Sequence, residues 1–545
     1  MLLDTKPLGS YTKTIEADND HPALTDRRNV INNNNIEIRN TIEEDHITIA
    51  KGTTIQNFYA GQSLLITGGT GFLGKILVEK LLRSCPDIST IYLLIRAKKN
   101  KNVQDRVEDL FNDPIYDRLR KEVPKFRHKL VAISGDCSKR GLGLSSVDRE
   151  RLTREVSIVF HGAATVRFDE RIDIALAINA GSAVDMIDLC KHMERLKAVI
   201  HVSTAYANCH LSTIEEAFYP HTTSYDELKA LFTDMGEKEM AKITPKLLGE
   251  WPNTYTFTKA LAERVIKEKS QGLSIGIFRP AIIISTAFEP IPGWIDNFYG
   301  PTGAVGAIET GILKTMYCRH SVQANIVPVD FTVNALIVSA WDVASQPQRR
   351  AENMLIYNYV STLENSITWK DYKDINLIHA SEFPLSQAKW TVSVTLHDHK
   401  LMDFLSRIVF HYIPALVIDS FSICLGYKPK LLTTYRKLHR FIDVVSWFCV
   451  RDWTLTNNNV EHMWKRLETK DQQIFRFDMR QLNWKKYFKN YIKGVRVYLF
   501  KDDLSTLEAS RKKSERFRSI NATIKIFLCA ISLLLFWKML PITFS

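Results

Sequence analysis

The run LLITGGTGFLGKILVEKLL constrains this chain more than any other feature: Gly68, Gly71 and Gly74 stand where an apolar strand gives way to an amphipathic helix. Each glycine has a mechanical reason. Gly68 permits a tight turn, Gly71 lets the backbone approach a pyrophosphate, and Gly74 lets the helix pack close to the sheet with its N-terminus facing the anion. Three glycines alone are weak evidence. Here a strand precedes and a helix follows, and a second apolar run, IYLLIR, ends at Arg96, where such a unit places the group that reads the adenosine ribose.

Five further short apolar runs extend the pattern: IYLLIR (91–96), KLVAISGD (129–136), SIVFHGAA (157–164), AVIHVSTA (198–205) and IGIFRP (275–280). They are continuous in hydrophobicity, so their sheet is buried on both faces, and the helical stretches between them make it parallel. The expected fold is α/β: a doubly wound parallel Rossmann sheet with a smaller helical C-terminal domain and a C-terminal membrane segment. Residues 1–57, with the run Asn32 to Asn35 and few aromatics, read as a disordered leader. The dinucleotide-binding Rossmann domain is placed at 58–365. Within it 207–252 is an insertion between two strands, beside a pocket. A helical domain rich in aromatic and basic residues is placed at 366–505, and a basic juxtamembrane stretch with a hydrophobic tail anchor at 506–545.

The tail, NATIKIFLCAISLLLFWKMLPITFS, reaches the roughly 20 residues of a span only if Lys525 and Lys538 snorkel towards opposite interfaces. The preceding RKKSERFR (511–518) would hold that side in the cytosol. A shorter apolar run, IVFHYIPALVI (408–418), reads as a core helix or a membrane-surface contact. The eight cysteines are scattered singly, without Cys-x-x-Cys pairs or a zinc-like histidine set, and the N-terminus shows no apolar signal region. A reducing compartment and no metal site are expected. The formal charge of +12 favours anionic partners, phosphorylated ligands and anionic lipid above all. No nucleic-acid motif accompanies it, so no nucleic-acid partner is expected.

An NAD-selective site would end its second strand with an acid for the ribose hydroxyls; this chain has Arg96, then Lys98 and Lys99. Cations there suit an extra ribose phosphate, so NADPH is the expected cofactor. Asp136, after the third strand, can receive the adenine amino group, and Ala163 and Ala164, after the fourth, leave room for a flat ring. The candidate cofactor contacts are therefore Thr67, Gly68, Thr70, Gly71, Phe72, Leu73, Gly74, Arg96, Lys98, Asp136, Ala163 and Ala164, together with Tyr255 and Lys259. The last two stand four apart in YTFTKALAERVIKE, on one helix face. An ammonium near a phenol eases proton transfer at neutral pH. Ser203 and Thr204, at the end of the fifth strand, are hydroxyls available to a carbonyl oxygen.

The glycine array, the Ser/Thr strand end and Tyr-x-x-x-Lys resemble the extended short-chain dehydrogenase/reductases. The segments TGGTGFLGK (67–75), VFHGAATVRFDE (159–170), HVSTAYANC (201–209), YTFTKALAE (255–263), FRPAI (278–282) and EPIPGWIDNFYGP (289–301) narrow the resemblance to the alcohol-forming fatty acyl-CoA reductases. It covers roughly residues 55–500. It implies reduction of a long-chain acyl-CoA to a primary alcohol with two NADPH, releasing CoA. It marks Tyr255 and Lys259 as catalytic, with Thr204 or Ser203 as third member, Thr204 preferred. Gly162 departs from the larger aliphatic residue of many relatives, which bears on packing. The expected location is a membrane, endoplasmic reticulum or peroxisome, with the catalytic domain facing the cytosol. The rival readings are a membrane-associated reductase acting on a sterol or other lipid carbonyl, and a silent NADPH-binding scaffold. Acyl chain length and oligomeric state are not written in these motifs.

Overall fold

All six apolar runs form strands of one parallel sheet, and a seventh strand joins them: β1 (Ser63–Thr67), β2 (Thr90–Ile95), β3 (Leu130–Ser134), β4 (Ile158–His161), β5 (Ala198–Val202), β6 (Ile275–Pro280) and β7 (Ile356–Tyr359). The order is β7-β6-β5-β4-β1-β2-β3 in a computed structural model that describes residues 52–98, 101–346, 354–361 and 363–539. The order reverses between β1 and β4, so a crevice opens at their carboxyl ends, where a doubly wound sheet binds its ligand. Register brings the strand ends level: Thr67 pairs with His161, and His161 with His201.

The helices that matter for the site are α1 (Thr54–Tyr59), α2 (Phe72–Ser84), α3 (Val103–Phe111), α4 (Thr254–Lys269), α5 (Pro301–Glu309) and α6 (Val329–Ala344). Beyond the sheet come α7 (Trp369–Glu382), α8 (Lys400–Cys424, with a π-helical turn at Ile408–Tyr412), α9 (Leu431–Cys449), α10 (Trp484–Gly494) and α11 (Leu507–Met539). Caps set several starts. The Asn102 side chain accepts from the Asp105 amide to begin α3, and Asn253 accepts from Thr256 to begin α4.

Three expectations are amended. Residues 52–57, assigned to the leader, are structured: Thr53 caps α1, Ile55 is buried, and Tyr59 donates to the Ile337 carbonyl of α6 at 2.7 Å. Residues 1–51 lie outside the described residues. Strand β7 has a polar centre, Asn358, which hid it from a search for continuous apolar runs. Its amide is buried because it donates to the carbonyls of Ile214 and Thr456. The helices after residue 365 share one hydrophobic core with the sheet. Phe160 and Phe278 belong to the same buried cluster as Tyr372, Phe488 and Tyr491.

Candidate active site

The loop after β1 is cut to glycine. Gly68 has φ +78°, and a Cβ there would stand 2.9 Å from the backbone of Gly162 and Ala163; a Cβ on Gly74 would meet the Gly68 carbonyl at 2.2 Å. Exposed Gly71 caps α2 without a side chain, leaving the first amides of the helix to an incoming anion. The side chain of Thr67, expected among the cofactor contacts, is spent inside. Its hydroxyl accepts from the Ala163 amide at 3.1 Å and meets His161 Nδ1 at 2.9 Å. His161 Nε2 reaches Ser182, whose hydroxyl donates to the Ile178 carbonyl, so the ring carries its proton on Nε2 and Thr67 donates to Nδ1. Burial holds this histidine down to about 3, hence neutral. The relay locks the end of β4 against β1.

Three cations gather at the end of β2. Arg106, from α3, donates to the Thr70 hydroxyl at 2.9 Å and to the Arg96 carbonyl. Arg96, half exposed, stands 4.0 Å from Asp136, whose carboxylate also accepts from Ser138. Burial, then the charges of Arg106, Arg96 and Lys101, hold Lys98 below the usual lysine range; burial and Arg96 lower Arg106. Cations that depress one another favour an anion between them. The residues present fit a dinucleotide: a glycine cradle, a helix N-terminus and a basic pocket at the ribose end.

Tyr255 lies in the first turn of α4 and Lys259 one turn on. Burial pushes the Tyr255 phenol up to about 12, and a hydrogen bond with the Thr204 hydroxyl pulls it back. The Lys259 ammonium is buried and donates to the Val202 carbonyl at 2.7 Å; burial holds it down to about 8, against the opposing pull of Glu263. The Phe168 ring lies 5.7 Å from the Tyr255 ring. The two hydroxyls at the end of β5 part company. Thr204 joins Tyr255, whereas Ser203 donates to Glu263 at 2.5 Å. Glu263 holds fully buried Arg279 through both oxygens, and Arg279 also donates to the Glu215 and Ala217 carbonyls, tying the 207–252 segment to β6.

Two family models, both described as Male sterility protein, match residues 66–336 and 410–502. The chain is 40% identical over 484 residues to fatty acyl-CoA reductase wat of Drosophila melanogaster, covering 88% of this chain and 93% of that protein. It is 36% identical to human fatty acyl-CoA reductase 1, covering 86% and 90%. The chain belongs to the fatty acyl-CoA reductase family. Among solved structures, the terminal R domain of the myxalamid biosynthetic pathway aligns with a TM-score of 0.53 at 17% identity, covering 82% of this chain and 92% of that one. A reductase domain of a Mycobacterium tuberculosis non-ribosomal peptide synthetase aligns at 0.52 and 19%, covering 80% and 92%. At such identities these share the fold.

One feature of this fatty acyl-CoA reductase family member escapes a motif search, besides Arg106. A π-helical turn, Leu176–Gly181, presents Asn179. Its amide accepts from the Thr165 nitrogen and donates to the Thr165 carbonyl and the Thr258 hydroxyl, pinning the loop after β4 to α4. A lone asparagine amid the apolar run ALAINAGSAV was the available signal. The Pro292–Asn297 segment closes over α2: Trp294 stacks on Phe72 at 5.6 Å, and Asp296 pairs with Lys75 at 2.9 Å. Phe72 thus serves packing with its ring.

Proposed function

We propose that this chain reduces the thioester of a long-chain acyl-CoA to the primary alcohol with two NADPH, releasing CoA at a membrane surface. The observation that carries the reading is the convergence of Thr204, Tyr255 and Lys259 at the crevice of a dinucleotide-binding sheet: the Thr204 hydroxyl lowers the phenol it neighbours, and Lys259 is seated on the Val202 carbonyl. The family membership supports it. When bound, the nicotinamide cofactor supplies the hydride. Gly68, Gly71 and the N-terminus of α2 would hold its pyrophosphate, and Arg96, Lys98 and Arg106 a ribose phosphate, which favours NADPH over NADH.

The hydroxyls of Thr204 and Tyr255 donate to the carbonyl oxygen as it gains negative charge, the term that dominates such reactions. In the first reduction that charge returns to carbon and breaks the C–S bond, leaving the aldehyde and CoA thiolate. In the second, the oxygen stays bound to carbon as an alkoxide, and Tyr255 gives it the phenolic proton. A phenol held near 12 keeps its proton at neutral pH until a base as strong as an alkoxide forms. Lys259, held near 8, is a proton source close to the working pH.

Two apolar helices support attachment to a membrane. The apolar window of helix α11 has no buried residue, with Ile526 and Leu533 exposed behind the cations of 511–518. Helix α8 exposes Phe404, Phe410, Leu416 and Phe421. Cations beside the tail favour a catalytic domain on the cytosolic face, of the endoplasmic reticulum or a peroxisome. The test is to incubate the detergent-solubilised chain with NADPH and acyl-CoAs of graded length, identifying products by mass spectrometry. Alcohol with two NADPH consumed per CoA released is the expected result. Aldehyde alone would cut the reaction to one hydride transfer, and no lipid product would overturn it.

A further inference from the structure

Helix α4 carries ionisable side chains on three successive turns: Tyr255, Lys259 and Glu263. Lys259 and Glu263 are each 2% exposed. A carboxylate is kept that far from water only where bonds and an opposite charge compensate it. Glu263 accepts from the Ser203 hydroxyl at 2.5 Å and from Arg279 through Nε at 2.8 Å and Nη2 at 2.6 Å. The end of β5 holds both of the buried charges on α4. The Val202 carbonyl accepts from the Lys259 ammonium at 2.7 Å, and the hydroxyl of the next residue, Ser203, donates to Glu263. The two charges are thus fixed one helix turn apart on one face, in an interior where opposite charges act strongly on each other.

The other groups that face Lys259 bring no negative charge. From β4 and β5 come His161 and His201, and burial followed by the Lys259 charge holds both neutral. Tyr255, on the same helix, keeps its phenolic proton until an alkoxide forms. Burial lowers Lys259, and the carboxylate that opposes this is Glu263. Arg279 meets that carboxylate from β6 and also donates to the Glu215 and Ala217 carbonyls, with its charge felt by the Glu216 carboxylate.

We infer that Glu263 is a positioning residue of the proposed reduction: its carboxylate, fixed by Arg279 and Ser203, keeps the Lys259 ammonium charged on the Val202 carbonyl. The inference rests on that reduction. When Tyr255 gives its proton to the alkoxide it is left a phenolate. The ammonium supplies the proton that restores the phenol, and the amine that remains is recharged from water. A Lys259 already neutral has no proton to supply.

The test is the pH dependence of kcat/KM for palmitoyl-CoA with NADPH, in the detergent-solubilised full chain. Glu263→Gln should move the alkaline limb down by about one pH unit or more. Glu263→Asp keeps the charge and should leave the limb close to its wild-type position. A limb that stays in place with Glu263→Gln, or that moves alike in both variants, overturns the inference and leaves the reduction standing. Where Glu263→Gln does not fold, adding Arg279→Met removes both members of the buried pair, and the double variant should show the same downward shift. A wild-type chain that makes no lipid product overturns the reduction. The coupling of Glu263 to Lys259 is then read from melting temperature against pH, as the difference that Lys259→Met makes with and without Glu263→Gln. The rise due to Lys259 should begin about one unit lower with Glu263→Gln, and a rise that begins at the same pH overturns the coupling as well.

Discussion

Ser203 and Thr204 are neighbours in sequence with different work. Thr204 faces the Tyr255 phenol, while Ser203 is one of the partners of Glu263 inside a buried ion pair. Replacing Tyr255 by Phe should lower kcat by about 10²-fold to 10⁴-fold, the span of general acid catalysis, with NADPH affinity intact by fluorescence titration. Thr204→Val should lower kcat and leave thermal stability close to wild type. Ser203→Ala should do the reverse, costing roughly 1–3 kcal/mol in chemical denaturation while turnover of the folded fraction holds. Lys259 gives a second test, because activity and stability follow pH in opposite senses. Burial holds it down to about 8 in the folded chain, against about 10.4 when unfolded. Its charged form is lost as pH rises through about 8, so kcat/KM should fall above that point. Between about 8 and 10.4 the unfolded chain binds more protons, so this group's contribution to stability rises with pH. A Lys259→Met variant should lack that rise when melting temperature is followed against pH. The Tyr/Lys spacing was legible because four residues on a helix share a face. The choice between the two hydroxyls was not, since it depends on Glu263 and Arg279, about 60 and 76 positions along the chain.

At the scale of elements, the six apolar strands and the glycine turn were legible because burial on both faces leaves a continuous apolar run. Strand β7 and Arg106 were not. Asn358 interrupts the one, and the other reaches the ribose end from a helix whose start is set by the Asn102 cap, not by a strand-end motif. Arg106→Ala should raise KM for NADPH about tenfold and barely alter that for NADH, because a charge-assisted bond to phosphate exists only for the former. Steady-state kinetics with both cofactors would show it, and equal losses would remove Arg106 from the ribose phosphate. The Pro292–Asn297 segment makes a second prediction. Gly293 has φ +80°, and a Cβ there would stand 2.1 Å from the Asn490 carbonyl of α10; a Cβ on Gly494 would meet the Gly293 carbonyl at 1.7 Å. Gly293→Ala should cost about 2 kcal/mol or more from left-handed strain and overpacking. Because Trp294 and Asp296 rest on α2, it should also raise KM for NADPH in the protein that remains folded.

For the whole molecule, two apolar surfaces face away from the core, and each alone is ambiguous by length. Helix α11 has no buried residue in its apolar window, and α8 has 17% of its own buried. The burial of α8 is one-sided: Asp403, His411, Ala415 and Asp419 turn inward, while Leu405, Val409, Ile413 and Val417 face out. A helix divided in this way is suited to lie along a membrane surface. Cations follow closely: Lys428 and Lys430 in the turn after α8, then Arg436, Lys437 and Arg440 on α9, placed to meet anionic headgroups while the apolar face enters the acyl region. Two such surfaces predict two independent holds on a bilayer, so that removing one should not release the chain. Truncation before Leu507 should leave a protein that still floats with vesicles containing anionic lipid. Adding Phe410→Glu and Phe421→Glu to the truncation should release it into the soluble fraction, with cofactor binding retained. A truncated chain that is soluble and monomeric without these charges would assign the membrane attachment to α11 alone, and a truncated chain that dimerises through α8 would assign that face to a second copy.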